Sequence, residues 1–332
     1  MAAARPRWTG DFRRAEWLLL AALVLYPLIA GEFWLVQIAA RAFILGLIAL
    51  GLTLLAGFGG MVSLAQMTVA GVAAYTVAIF TTSDTGWTVS LPAILALPLA
   101  LLLAVAAASL IGWIAVRTTG IYTIMITLAI AVVFFYFTRQ NYALFNGFTG
   151  YAQVAPPALG DGSWRDPVPF YYLCLLAAAL GYGWIRQLVR APFGLALQGI
   201  RDEPRRLASL GYDVRRHRIL AYTVAGILAG VGGILLVWFN TRIDPSTVGV
   251  DPVIDILIIA VIGGLSHPIG AFLGAVAFVL IDTFAVDLLP GLRERFNLII
   301  GLFFLLIVLF SPDGLIGLGK RVAAATRDER DG

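Results

Sequence analysis

Few residues in this chain can do chemistry. Asp282 stands well inside an apolar run. An ionisable group there is costly unless it holds an ion, a proton or a partner. Gly57, Gly59 and Gly60 come just before Ser63, Gln66 and Thr68. Glycines so spaced let a helix break. A broken helix leaves backbone N–H groups that can hold a carboxylate, and the three polar side chains would add hydrogen bonds. Gly263 and Gly264 repeat the Gly–Gly pair before another run of small residues. Close helix packing through small residues accounts for the same glycines equally well. Arg242, Asp244 and Asp251 lie together in a connection. There they meet a docking protein through complementary charge, or form a solvated turn.

Other chemistries are excluded. No G-x-x-x-x-G-K-[ST] occurs, and Gly317-Leu318-Gly319-Lys320 is not one, so no P-loop binds ATP in this chain. The two histidines make no site: His217 reads as a solvated charge partner in a basic loop. Ser266 and His267, as sequence neighbours, are no nucleophile–base pair without geometry. The single cysteine, Cys174, rules out an intrachain disulfide and argues against a thiolate metal site. The expectation is no catalytic group, no metal and no cofactor bound by this chain.

The elements that position these residues follow from composition. Of 332 residues, 60% are hydrophobic and 13% charged, and mean hydropathy is +0.91. That balance belongs to a polytopic membrane protein. About 20 apolar residues cross a bilayer as helix. Ten candidate spans follow: 17–31, 34–57, 61–80, 91–116, 120–138, 170–189, 219–240, 253–265, 269–286 and 297–310. The runs 17–31 and 253–265 are short. The alternation of a membrane barrel is missing, so the fold class is all-α. A cleaved leader is not expected, because the first apolar run leads at once into a second.

Basic residues orient the bundle. Ten spans put both termini on one side with the connections 117–119 and 190–218. That side holds 17 of the 23 Lys and Arg, the other side holds 5, and Arg41 lies within a span. Both termini are therefore expected in the cytoplasm. The net charge of +4 reflects topology and anionic lipid rather than nucleic acid. The organisation is a tail at 1–16, one transmembrane domain at 17–319 and a tail at 320–332. Arg41 is expected to snorkel outward, and Asp255 to be interfacial. The Gly–Gly echo between 56–75 and 260–278 reads as a trace of inverted halves, spans 2–5 and 7–10.

The loop 190–218 is the one part fit for a partner in water. Asp202 is placed to cap a helix, with Glu203 and Pro204 in its first turn. Both acids suit the positive end of the helix dipole. Gly211 can end it in a left-handed conformation. Two turns are marginal alone, and Leu207 and Leu210 share a face, so the 202–211 helix must dock. It docks on its own membrane domain, or in a partner's groove as a coupling helix, with Arg201 and Arg205 beside it.

Phe193-Gly194, Ile200-Arg201-Asp202-Glu203, Leu210-Gly211-Tyr212-Asp213-Val214 and Leu220-Ala221-Tyr222 resemble the cytoplasmic signature of branched-chain amino acid ABC transporter permeases. The likeness continues through Ala229-Gly230-Val231-Gly232-Gly233, through Gly263-Gly264 with Gly270 and Gly274, and through Ser311-Pro312-Asp313-Gly314-Leu315-Ile316-Gly317. Gly57 to Tyr75 is similar to the family's glycine- and serine-containing run. The resemblance implies a permease subunit in the inner membrane. It also implies a second permease, two cytoplasmic ATPase subunits that use ATP, and an external solute-binding protein. The solute would be a branched-chain amino acid or a related small molecule such as urea or an amide. Ala208 and Pro204 stand where the family carries glutamates, and Gln66-Met67 replaces a glycine-containing pair. Two other readings compete. An ion-coupled secondary transporter would use Asp282 as its ion site. An intramembrane enzyme would need paired carboxylates or histidines that the spacing does not offer.

Overall fold

The computed structural model describes residues 19–81, 91–157, 164, 166–288, 301 and 314–317. The predicted tails 1–16 and 320–332 and most of the run 297–310 lie outside them. In chain order, α1 (Leu19–Leu28) is a short apolar helix and α2 (Trp34–Phe58) a long one. Both ends of α2 are wound as π-helix. There follow α3 (Gln66–Thr81), α4 (Ala93–Ala115), α5 (Ile121–Gln140), the single turn α6 (Tyr142–Phe145) and β1 (Tyr151–Ala152). Next come α7 (Pro167–Arg190), α8 (Pro192–Asp202), α9 (Pro204–Ser209) and α10 (Val214–Asn240). The described series closes with β2 (Arg242–Ile243), α11 (Val250–Gly263) and α12 (Ile269–Leu288).

Five of these helices, α2, α4, α5, α7 and α10, are long and apolar enough to cross a membrane. The predicted span at 61–80 begins as helix only at Gln66, because Gly59 to Ala65 form an irregular link. The run at 17–31 is a helix of ten residues, and that at 253–265 one of 14.

The core is a seam of small residues. α2 is sheathed by its neighbours, whereas α4 and α5 leave most of their surface outward. α10 runs against α2, α3 and α4. Its glycines set the spacing: a Cβ on Gly226 would lie 2.2 Å from the Ala108 Cβ, and one on Gly233 only 2.0 Å from the Ala70 carbonyl oxygen. Backbones so close gain dispersion contacts that lipid cannot supply.

The packing has an internal order. α2 packs on α12 as α10 packs on α4, α3 on α4 as α11 on α12, and α3 on α10 as α11 on α2. Exchanging α2 with α10, α3 with α11 and α4 with α12 leaves these main contacts unchanged. The Gly–Gly echo is not the mark of that exchange, which corrects the sequence reading. The two glycine segments sit at the same end of the bundle, where a Cβ on Gly57 would come 1.9 Å from the Leu265 carbonyl oxygen. Under the exchange, the link after α2 corresponds to the link after α10, at the opposite end. There Thr241 takes a left-handed conformation, and β2 pairs antiparallel with β1, Tyr151 against Ile243.

Candidate translocation path and coupling loop

The basic loop folds as two helices. Pro204 occupies the first turn of α9, so the cap falls on Glu203, which makes no side-chain capping bond. The expected cap, Asp202, instead ends α8 and pairs with Arg201 at 2.8 Å. Gly211 does take the left-handed conformation, with φ 88°. α8 is amphipathic and buries Gly194, Ala196, Leu197 and Ile200. α9 buries none of its residues. Leu207 leans back onto Gly199, where a Cβ would meet its Cδ2 at 2.9 Å. Leu210 is 68% exposed, and Arg205 and Ala208 are exposed beside it. Leu207 and Leu210 therefore do not share one docked face.

α8 is fastened to the glycine break. Arg201 Nη1 donates to the Gly57 carbonyl at 2.6 Å. Gly60, at φ 66°, leaves room for the Arg201 stem, which a Cβ there would meet at 2.6 Å. Leu197 lies over Gly59. His217 is not a solvated charge partner: it stacks on Phe193 at 5.6 Å and meets the Tyr212 edge at 5.5 Å. It thereby ties the start of α10 to α8. Asp213 caps α10 by accepting from the Arg216 N–H at 3.0 Å. The sequence reading passed over that cap, although an aspartate just before an apolar periodic run is its ordinary signal.

The polar group beyond the break is closed. Ser63, Gln66 and Thr68 are all buried. The Ala65 N–H donates to Ser63 Oγ at 3.4 Å, and the Leu64 N–H to Thr127 Oγ1 of α5 at 3.1 Å. Two of the N–H groups expected to face a carboxylate are thus occupied by side chains. Gln66 Oε1 and Thr68 Oγ1 are buried without a hydrogen-bond partner, and the Gln66 oxygen would lie 3.0 Å from a Cβ on Gly51. Buried polar atoms left unpaired cost of order 1–3 kcal/mol each. Gly263 and Gly264 are packing positions: Gly263 abuts the Gly270 carbonyl, and Gly264, at φ 100°, abuts Gly314.

Asp282 is not solitary. Arg41 Nη1 lies 2.6 Å from its carboxylate, joining α2 to α12. Arg41 therefore turns inward along the protein instead of snorkelling out, a pairing between distant segments that spacing could not reveal. At the C-terminal end of α10, Arg242 pairs with Asp244 at 3.1 Å, and Asp244 also accepts from the Ser246 hydroxyl. Asp251 is exposed in the first turn of α11. Among the described residues no group of histidine, cysteine or carboxylate side chains could hold a metal.

Residues 34–309 match the family model described as "Branched-chain amino acid transport system / permease component". The high-affinity branched-chain amino acid transport system permease protein LivM of Escherichia coli (strain K12) is 26% identical over 95% of this chain and 78% of its own length. The probable branched-chain amino acid transport permease protein LivH of Methanocaldococcus jannaschii is 37% identical over 26% of this chain and 27% of its own. The nucleoside ABC transporter permease protein NupC of Lactococcus lactis is 29% identical over 37% of this chain and 38% of its own. No solved structure matches the chain.

Proposed function

This chain belongs to the branched-chain amino acid transport permease family, and we propose that it is one of two paired permease subunits of an ATP-driven importer. Two cytoplasmic ATPases dock on the loop 190–218 and use the ATP, while this chain binds none and breaks no covalent bond. An external solute-binding protein delivers the cargo at the end that carries Arg242, Asp244 and Asp251. Both chain ends and the basic loop lie in the cytoplasm, and the protein sits in the inner membrane. The cargo is a branched-chain amino acid or a related small solute. Relatives named for nucleosides and for autoinducer 2 match shorter stretches, so the family's scaffold admits more than one cargo class.

The observation that carries the reading is the fastening of α8. ATP-driven closure of the ATPases pushes on α9, where Arg205 and, just past the helix end, Leu210 are exposed. α8 passes the push to Gly57 through Arg201. Gly57 lies at the end of α2, beside the link that leads to Ser63, Gln66 and Thr68. Opening that link frees the Leu64 and Ala65 N–H groups and the unpaired Gln66 and Thr68 oxygens to meet a solute carboxylate. The main-chain contact at Gly57 explains how a push outside the membrane reaches polar groups within it. The secondary-transporter reading loses ground, since Asp282 is engaged by Arg41.

The test is uptake in proteoliposomes holding both permeases, the ATPases and the binding protein. Uptake that requires internal ATP and stops when the ATPases are omitted fits the proposal. Uptake by the permeases alone, driven by an ion gradient, contradicts it.

A further inference from the structure

The charged face formed by α2, α11 and α12 bears on how cargo moves. Arg41 lies seven residues into α2, Asp255 five into α11, and Asp282 six from the end of α12. At 1.5 Å per residue each is about 8–10 Å in from its helix end, so the three share one level. α11 packs against both α2 and α12, and Asp255 stands within electrostatic range of Asp282, Asp251 and Arg41. Arg41 and Asp282 are paired, yet 31% and 23% of their side chains remain exposed. Aspartate is too short to snorkel, and Arg41 is held in place by Asp282. Lipid is a poor neighbour for such a group, because ionised side chains at membrane depth face protein or water. On α2 the exposed Trp34 and Gln37 lead along one face to the half-buried Arg41 and Leu45, so the part-open surface has a direction along the helix.

Charge then selects what passes. With Arg41 paired to Asp282, Asp255 leaves this face one negative charge in excess at neutral pH, although burial and the neighbouring carboxylates push its pKa up to about 6. A negative wall in a low-dielectric surround attracts a cation and repels an anion.

Resting on the permease reading above, we propose that the Arg41–Asp255–Asp282 face of α2, α11 and α12 is a wall of the water-filled pathway, and that it receives the cationic group of the solute, the ammonium of a zwitterion. A lone alkali ion shares that chemistry.

The experiment uses the assembled importer, with Leu45→Cys as a reporter one turn deeper than Arg41; the native Cys174 is buried. Reaction with a cationic and an anionic methanethiosulfonate reagent of similar size is timed from the binding-protein side. The expectation is modification at least about tenfold faster than at Leu180→Cys on α7, and at least about fivefold faster with the cationic reagent. Asp255→Asn should abolish the cation preference and Asp255→Glu should keep it. A Leu45→Cys no more reactive than Leu180→Cys, or one that cross-links to the second permease without reacting with either reagent, overturns the pathway assignment. Equal reactivity with both reagents overturns the charge assignment. Replacing alkali ions by N-methylglucamine separates the two cation sources: unchanged uptake assigns the charge to the solute, and lost uptake overturns that assignment. ATP-driven uptake by the same preparation reports on the permease reading separately, so the two can fail apart.

Discussion

Of the two short helices in the basic loop, α8 buries Gly194, Ala196, Leu197 and Ile200 against the bundle, whereas α9 buries none of its residues. They share a loop and one elbow at Glu203. α8 has a side chain in hydrogen-bond contact with the end of α2; α9 touches the rest of the chain chiefly through Leu207 and Gly199. The difference divides one loop into a part seated on the bundle and a part that buries none of its residues. A helix of six residues is not stable alone in water. Its persistence here rests on Leu207 and the Gly211 turn, and a bound partner would complete it.

Substitutions at the seat of α8 should do the most damage. Gly57→Val places branched carbons where the Leu265 carbonyl oxygen already lies 1.9 Å from an added Cβ. Overpacking against backbone of this kind should cost about 3 kcal/mol or more. The folded permease should be lost from detergent extracts, as read by size-exclusion recovery and thermal unfolding. Next comes the free surface. Leu210→Asp should leave extraction and melting unchanged, because the side chain is 68% exposed. ATPase association measured by co-purification should fall at least about tenfold, the scale of losing one apolar anchor from an interface. If co-purification is intact and the permease is instead destabilised, α9 is packed rather than free. Gly199→Ala should have a mild effect. Its Cβ would meet the movable tip of Leu207 at 2.9 Å, so hydrogen exchange should quicken in 204–210 while 192–202 holds. Arg205→Gln should be the smallest, changing stability by less than about 0.5 kcal/mol and weakening ATPase association only at low salt.

How much of this could be read from the chain depends on the range of the interaction. The all-helical, multi-span character followed from composition, and the left-handed turn at Gly211 from a local rule. The cap at Glu203 was also legible, since proline in the first turn fixes the preceding residue as the cap. Counting the acids of 202–203 into one helix hid it. The spacing of Gly57 and Gly60 predicts a break, but not their use as a seat for Arg201. That use needs two segments 144 residues apart to meet. The same limit hid the Arg41–Asp282 pair. The Gly–Gly echo misled for a different reason. Glycine recurs wherever membrane helices pack closely, so its repetition reports packing at one end of the bundle instead of the exchange that relates α2 with α10.

In the proposed importer, α8 carries the push from α9 to Gly57 through Arg201. The most direct test is the number of solute molecules moved per ATP hydrolysed by the reconstituted importer bearing Arg201→Ala. Removing one charged donor from a half-exposed contact should cost on the order of 1 kcal/mol of docking, enough to loosen α8 without unfolding the bundle. ATP hydrolysis should stay within about twofold of the unaltered importer while transport falls at least about fivefold. Transport and hydrolysis that stay unchanged together, or fall in the same proportion, would contradict that role of Arg201.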